Sequence, residues 1–170
     1  NFGLEPLLDA LTSLAPSPRP RPTADGGLVE PEATTFSGFV FKIQANMDRR
    51  HRDRVAFVRV CSGRLLKDMV MTNARLGQEI RATRTYRMFG RDRVTSPEAV
   101  AGDIVGLVNP GRLGIGDTLW ADQPVQFAAM PRFPPEHFGR LRLTDSRHKQ
   151  FDDGVLQLEE EGLIQGFFPA

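Results

Sequence analysis

Residues 46 to 54 read Asn46-Met47-Asp48-Arg49-Arg50-His51-Arg52-Asp53-Arg54, placing four arginines and a histidine in one short stretch. A guanidinium presents a planar fork that donates two parallel hydrogen bonds, the geometry a phosphate accepts. The stretch therefore points to phosphate contact through Arg49, Arg50, His51, Arg52 and Arg54. The alternative is a solvated hairpin in which Asp48 and Asp53 pair with the arginines. A second basic cluster follows in Arg75, Arg81, Arg84, Arg87, Arg91 and Arg93. On a continuous strand the even spacing of Arg81 and Arg87 puts both on one face. An RNA-facing surface and a solvated face fit this cluster equally well.

Acid-base and metal chemistry find less support. His51 with Asp53, Glu136 with His137 and His148 with Asp152 are imidazole and carboxylate neighbours, but none has the HExxH or cysteine-histidine spacing of a metal site. The chain contains no GxxxxGK[ST] loop, so no nucleoside triphosphate is held in that manner, and neither a cofactor nor a metal is expected in these residues. Cys61 is the single cysteine, sits in an apolar run and reads as core. The expectation is a binding module without a catalytic centre. Glu159-Glu160-Glu161 ends a predicted helix, where each negative charge costs about 0.3 to 1 kcal/mol against the helix dipole. Either water solvates these acids or a basic surface docks on them.

The net charge of +1 conceals a strong asymmetry. Residues 1–41 carry −3, residues 42–93 carry +9 and residues 94–170 carry −5. Clustered charge is felt over roughly 8 to 10 Å, so one strongly basic third implies a localised anionic partner, with nucleic acid the leading candidate. No signal-peptide pattern and no run of 18 apolar residues occurs, which makes a cytoplasmic location and no membrane partner the default. The chain opens at Asn1-Phe2-Gly3 without an initiator methionine and reads as the middle of a longer sequence.

The elements that must position these side chains fall into four stretches. Over residues 1–15, Leu4, Leu7, Leu8, Leu11 and Leu14 form one helical stripe, with Pro6 tolerable only in the first turn. Residues 16–35 begin with alternating prolines and read as a semi-rigid linker. Residues 36–130 change to short β-type runs at 39–45, 55–61, 69–72, 78–88, 103–108 and 118–120. Gly63, Gly102 and Gly116 lie in the turns between them, and the pattern predicts a mainly β fold, a closed barrel. Residues 131–170 predict a partial α/β unit: a strand over 138–143, a helix over 146–161 capped by Asp145 with Phe151, Val155 and Leu158 on one face, and a strand over 163–168.

The stretch Phe39-Val40-Phe41-Lys42-Ile43-Gln44-Ala45-Asn46-Met47-Asp48, with His51-Arg52-Asp53-Arg54-Val55-Ala56-Phe57-Val58-Arg59-Val60-Cys61-Ser62-Gly63 after it, resembles the bacterial peptide chain release factor three family. These are translational GTPases of the elongation-factor superfamily that remove class I release factors from the ribosome. Ala101-Gly102-Asp103-Ile104-Val105 and Ile115-Gly116-Asp117-Thr118-Leu119 resemble second domains across that superfamily, and residues 138–168 resemble the start of the family's third domain. The resemblance implies an elongation-factor domain-two-like barrel followed by part of a ferredoxin-like α/β domain, both preceded by a GTP-binding domain ending near Pro16.

It further implies that GTP and GDP belong to that absent domain. The partners it implies are the ribosome, with its RNA and protein, class I release factors indirectly, and the GTP-binding domain. In that setting Arg49, Arg50, His51, Arg52, Arg54, Arg81, Arg84 and Arg87 are the candidate ribosome contacts. Glu159, Glu160 and Glu161 are the candidate interdomain contacts. A structural spacer, or a barrel from a related elongation or ribosome-protection GTPase, are the competing readings.

Overall fold

A computed structural model describes residues 2–45, 54–89, 92–109, 111–131, 133–143 and 148–167. The leucine stripe forms helix α1 (Leu4–Leu14), entered through Gly3 at φ 80° and left through extended Ala15. Its prolines end it as the sequence requires, yet none of its residues is buried.

Two short strands follow, β1 (Arg21–Pro22) and β2 (Leu28–Val29), paired with each other. Ten more are present among the described residues: β3 (Ser37–Ala45), β4 (Arg54–Ser62), β5 (Arg64–Leu66), β6 (Val70–Asn73), β7 (Gln78–Arg81), β8 (Thr85–Phe89), β9 (Asp92–Thr95), β10 (Glu98–Val100), β11 (Ile104–Asn109) and β12 (Thr118–Trp120). Eight of them form one antiparallel sheet in the order β7-β6-β12-β3-β4-β11-β8-β9, and β5 pairs with β10 separately. The fold is mainly β, as expected. The large sheet curls as a half-barrel around a shared core, and among the described residues no ladder joins its edge strands β7 and β9.

Period-two burial builds that core. Ala56, Val58 and Val60 of β4 share one cluster with Val105 and Leu107 of β11 and Leu119 of β12, while Leu65 and Ala99 bring the small sheet onto it. In β3, Val40 and Ile43 both reach this core although three positions apart. A bulge makes this possible: Val40 faces Val58 while Lys42 already faces Phe57, so the extra residue Phe41 resets the alternation. Gly63 has φ 61°, and a Cβ there would lie 2.7 Å from the Thr35 carbonyl group, so the turn from β4 to β5 requires glycine. Gly102 and Gly116 also adopt positive φ, as their turn positions predict.

Residues read as linker also join the barrel. Beside the β1–β2 pair, Thr23 bridges to Phe127. Phe127 stacks edge-on against Phe39 at 6.2 Å, and the Arg21 guanidinium lies 3.6 Å above the Phe39 ring. Cys61 is buried in this satellite core, and desolvation pushes its thiol pKa up, so it stays an uncharged core group.

The C-terminal stretch departs from expectation. Helix α2 (His148–Glu160) forms, with Val155 buried, but the described residues of 138–143 and 163–168 adopt no strand. Two short strands without a third are marginal in water, and Phe138, Leu141, Leu163 and Phe167 stay exposed. Asp145, the expected cap, lies outside the described residues. The helix ends where Gly162, at φ 70°, donates its N–H to the Glu159 carbonyl and Leu163 donates to that of Leu158. This pair of bonds fixes the position of the acidic triplet.

Candidate functional site

Four strand ends meet at one end of the barrel. Ala45, last in β3, is opposite Arg54, first in β4; Arg54 is opposite Asn109, last in β11; and Leu107 of β11 is opposite Thr85, first in β8. Arg49, Arg50, His51 and Arg52 lie outside the described residues, but the two strands flanking them start and stop here.

The acidic end of α2 reaches the same place. Glu160 Oε1 accepts from Arg54 Nη1 at 2.9 Å, and Oε2 lies 2.7 Å from the same nitrogen as an ion-pair contact. Glu161 Oε1 accepts the Ala45 N–H at 2.7 Å, at the strand's end. Glu159 instead accepts from the Gly166 N–H at 2.6 Å and closes its own turn. Two of the three acids thus touch the barrel and the third does not. The side chains of Arg54 and Glu160 are 30% and 35% exposed, so solvent screens the pair and its stabilising contribution is at most about 1 kcal/mol.

The second basic cluster is divided rather than continuous. The run 78–88 is two strands, so Arg81 and Arg87 do not share one strand face. The cause is Ala82, which is buried and exchanges hydrogen bonds with Asp68 and Met69; the chain then turns and rejoins the sheet beside β11. Arg87 pairs with Asp103 at 2.7 Å, and Arg75 holds Asp117 at 2.6 and 2.9 Å. Arg81 reaches only the Asp68 carbonyl, at 3.4 Å, and Arg84 is exposed. Arg93 lies over the Tyr86 ring, and Arg91 is outside the described residues.

Asp117 illustrates how a buried acid is made tolerable. Burial pushes its pKa up, but the Arg75 guanidinium, the Gly114 N–H and the Asn73 amide donate to it and bring the balance below the ordinary carboxylate range. These bonds tie the turn after β6 to the loop before β12. Glu136, His137, His148 and Asp152 are all exposed, and among the described residues no three His, Cys, Asp or Glu side chains converge on a point. No helix among them is long and apolar enough to cross a membrane.

Arg112 is not among the candidates the sequence offers, yet it stands at this same barrel end, exposed, two residues beyond Pro110. Its signal is the Asn109-Pro110-Gly111 turn, which reads as punctuation and hides that the turn carries a cation.

Residues 35–122 match the family described as elongation factor G domain 2. The chain is 52% identical over 169 residues to the peptide chain release factor 3 of Gloeobacter violaceus and 47% identical over the same length to that of Symbiobacterium thermophilum. Each alignment covers 99% of this chain and 32% of the relative, so the chain spans about a third of the length of these curated relatives. A crystal structure of a protein from Thermus thermophilus matches with a TM-score of 0.66 at 25% identity, over 94% of this chain and 23% of that one. The chain belongs to the elongation factor G domain 2 family, and across nearly all its residues it is similar to peptide chain release factor 3.

Proposed function

We propose that this chain is the ribosome-docking and coupling part of a cytoplasmic translation-termination GTPase that releases class I release factors from the ribosome. The observation that carries the reading is the 47–52% identity, over 99% of the chain, to proteins named peptide chain release factor 3. GTP and GDP bind elsewhere in the whole factor, since these residues contain no phosphate loop. The chain contributes no catalytic group. The barrel meets ribosomal RNA through its cationic end, and α2 holds the neighbouring domain to that end through Glu160 and Glu161.

The coupling role is supported by where those two acids sit, at the stems of the arginine-rich stretch. Charge reversal of Arg49, Arg50 and Arg52 in the full-length factor tests the docking role. Ribosome binding weakens and dissociation of class I release factors slows, while GTP affinity off the ribosome is unchanged. Unaltered ribosome binding removes the role of that stretch. A change confined to nucleotide affinity favours a purely structural spacer.

A further inference from the structure

Residues 18–29 cross the face of the sheet opposite the main core, over Phe39, Cys61 and Phe127. Both ends of this strap are marked. At the first, the Pro18 ring packs where a side chain on Gly102 would stand, since a Cβ there would come within 2.7 Å of Pro18 Cγ. Beyond the second, Gly63 donates its N–H to the Ala33 carbonyl at 2.9 Å, and the chain is tied to the barrel from there on. Exposed Glu30 and Glu32 lie between the strap and that anchor.

Between those points the hold is slight. The pair β1–β2 joins the strap only to itself, and so short an isolated pair is marginal in water. Around the Thr23–Phe127 bridge, the Ala24 N–H donates to the Gln126 carbonyl at 2.8 Å and the Ala128 N–H to the Pro22 carbonyl at 3.0 Å. Two side chains cover the floor: half-buried Val29 packs on the cluster, and the Arg21 guanidinium lies over the Phe39 ring. Arg21 pulls both ways. Its charge is attracted to the ring face, yet its Nε is buried with no hydrogen-bond acceptor among the described residues, and desolvation is the main cause that lowers its pKa. Closing the strap strips water from a cation and leaves a hydrogen bond unmade, which offsets much of what the ring contact and the apolar cover gain.

The strap also sets the reach of α1. When it is closed, only Ala15, Pro16 and Ser17 separate the helix from the Pro18 contact, so Leu14 stands at most about 14 Å from Pro18. When it is open, the tether runs on to Ala33 and reaches several times as far. We infer that residues 18–29 are a releasable clamp that opens without unfolding the barrel, and that its closure keeps α1, with its exposed leucine stripe, beside the turn between β10 and β11. This conformational device goes beyond the docking reading and does not depend on it.

Cys61, the chain's one thiol, is 7% exposed beneath the strap and reports on it directly. The test is the rate at which an aromatic disulfide reagent labels Cys61 in the full chain at rising low urea, for the unaltered chain, R21A, V29S and the control L28S. Labelling is expected to outpace global unfolding and to change little with urea, because opening the strap exposes little surface. R21A and V29S strip cover from the floor and are expected to speed labelling at least about fivefold with melting temperatures nearly unchanged. L28S, whose side chain is 64% exposed, should stay within about twofold of the unaltered chain. Hydrogen exchange on the unaltered chain gives a second reading. The Ala24 and Ala128 amides should open together, while the Val60 amide, which donates to the Asp103 carbonyl at 2.9 Å, stays protected. Labelling that rises with urea as steeply as global unfolding does, melting temperatures that fall in step with it, or Val60 exchanging with Ala24 would each make the strap part of the barrel's cooperative unit and overturn the clamp. Rapid labelling that R21A and V29S leave unchanged would show that the reagent reaches Cys61 by another path. An equal gain in L28S would detach the effect from cover of the floor; either result overturns the clamp as well.

Discussion

The barrel and the stretch after it read alike in sequence and fold differently. Residues 55–61, an apolar run, and residues 138–143, which alternate apolar with Gly or Arg, both read as strands, yet the first is the centre of a sheet and the second is no strand at all. The difference lies in partners. Strand β4 has a complete neighbour on each side, β3 and β11, so its backbone groups are paired and Val55, Ala56, Val58 and Val60 are fully buried. Residues 138–143 have no such neighbour among the described residues, and Phe138 and Leu141 remain 77% and 66% exposed. An apolar or alternating run states a capacity for a buried face; a ladder on both edges makes it a strand.

Leu119→Ala breaks the barrel side of this comparison most severely. Leu119 is fully buried where β12 joins β3 to β6, and its truncation is expected to cost about 2 to 5 kcal/mol by chemical denaturation. A loss below about 1 kcal/mol would mean that this core is not the one holding the sheet together.

Asp117→Asn is next, at about 1 to 3 kcal/mol at neutral pH, because it weakens the Arg75 and Asn73 bonds to a buried group. Its sign with pH is fixed. The folded-state pKa of Asp117 is depressed, so its contribution is present above the ordinary carboxylate value and is lost as pH falls through the lower folded value. Denaturation from neutral pH down into that acid range should therefore show a smaller fall in stability for D117N than for the unaltered chain. Parallel curves would contradict the assignment.

Glu160→Gln addresses the contact between the two regions and is expected to cost at most about 1 kcal/mol. Its sharper readout is hydrogen exchange, with α2 amides losing protection while β4 amides keep theirs. Equal change in both would make the helix part of the barrel's own cooperative unit. Leu141→Ser should leave stability within about 0.5 kcal/mol, since no packing is removed; a larger loss would show that the stretch is held more firmly than its exposure indicates.

Legibility follows the range of the interactions. Strand β12 (Thr118–Trp120) is readable with the bounds it has, because its signal is local. The break at Ala82 is not: what ends β7 is a pair of hydrogen bonds to residues 68 and 69, reached only after the chain folds back. The pairing of β1 with β2 is hidden by prolines that read as linker, and its anchor, Phe127, is roughly a hundred residues away. For the candidate site, sequence identifies cationic segments but not which cations keep their charge free. Arg54 meets Glu160 across 106 positions and Arg87 meets Asp103 across 16, whereas Arg112 is masked by the turn residues around it.

Cosedimentation of this 170-residue chain with ribosomes tests the docking claim most directly. The account predicts binding whose affinity falls linearly in log-log form between about 50 and 200 mM salt, with a slope of roughly −0.7 to −0.9 for each phosphate engaged. Salt-independent binding, or none at the lowest salt, would contradict the claim that this chain meets ribosomal RNA through the cationic end of its barrel.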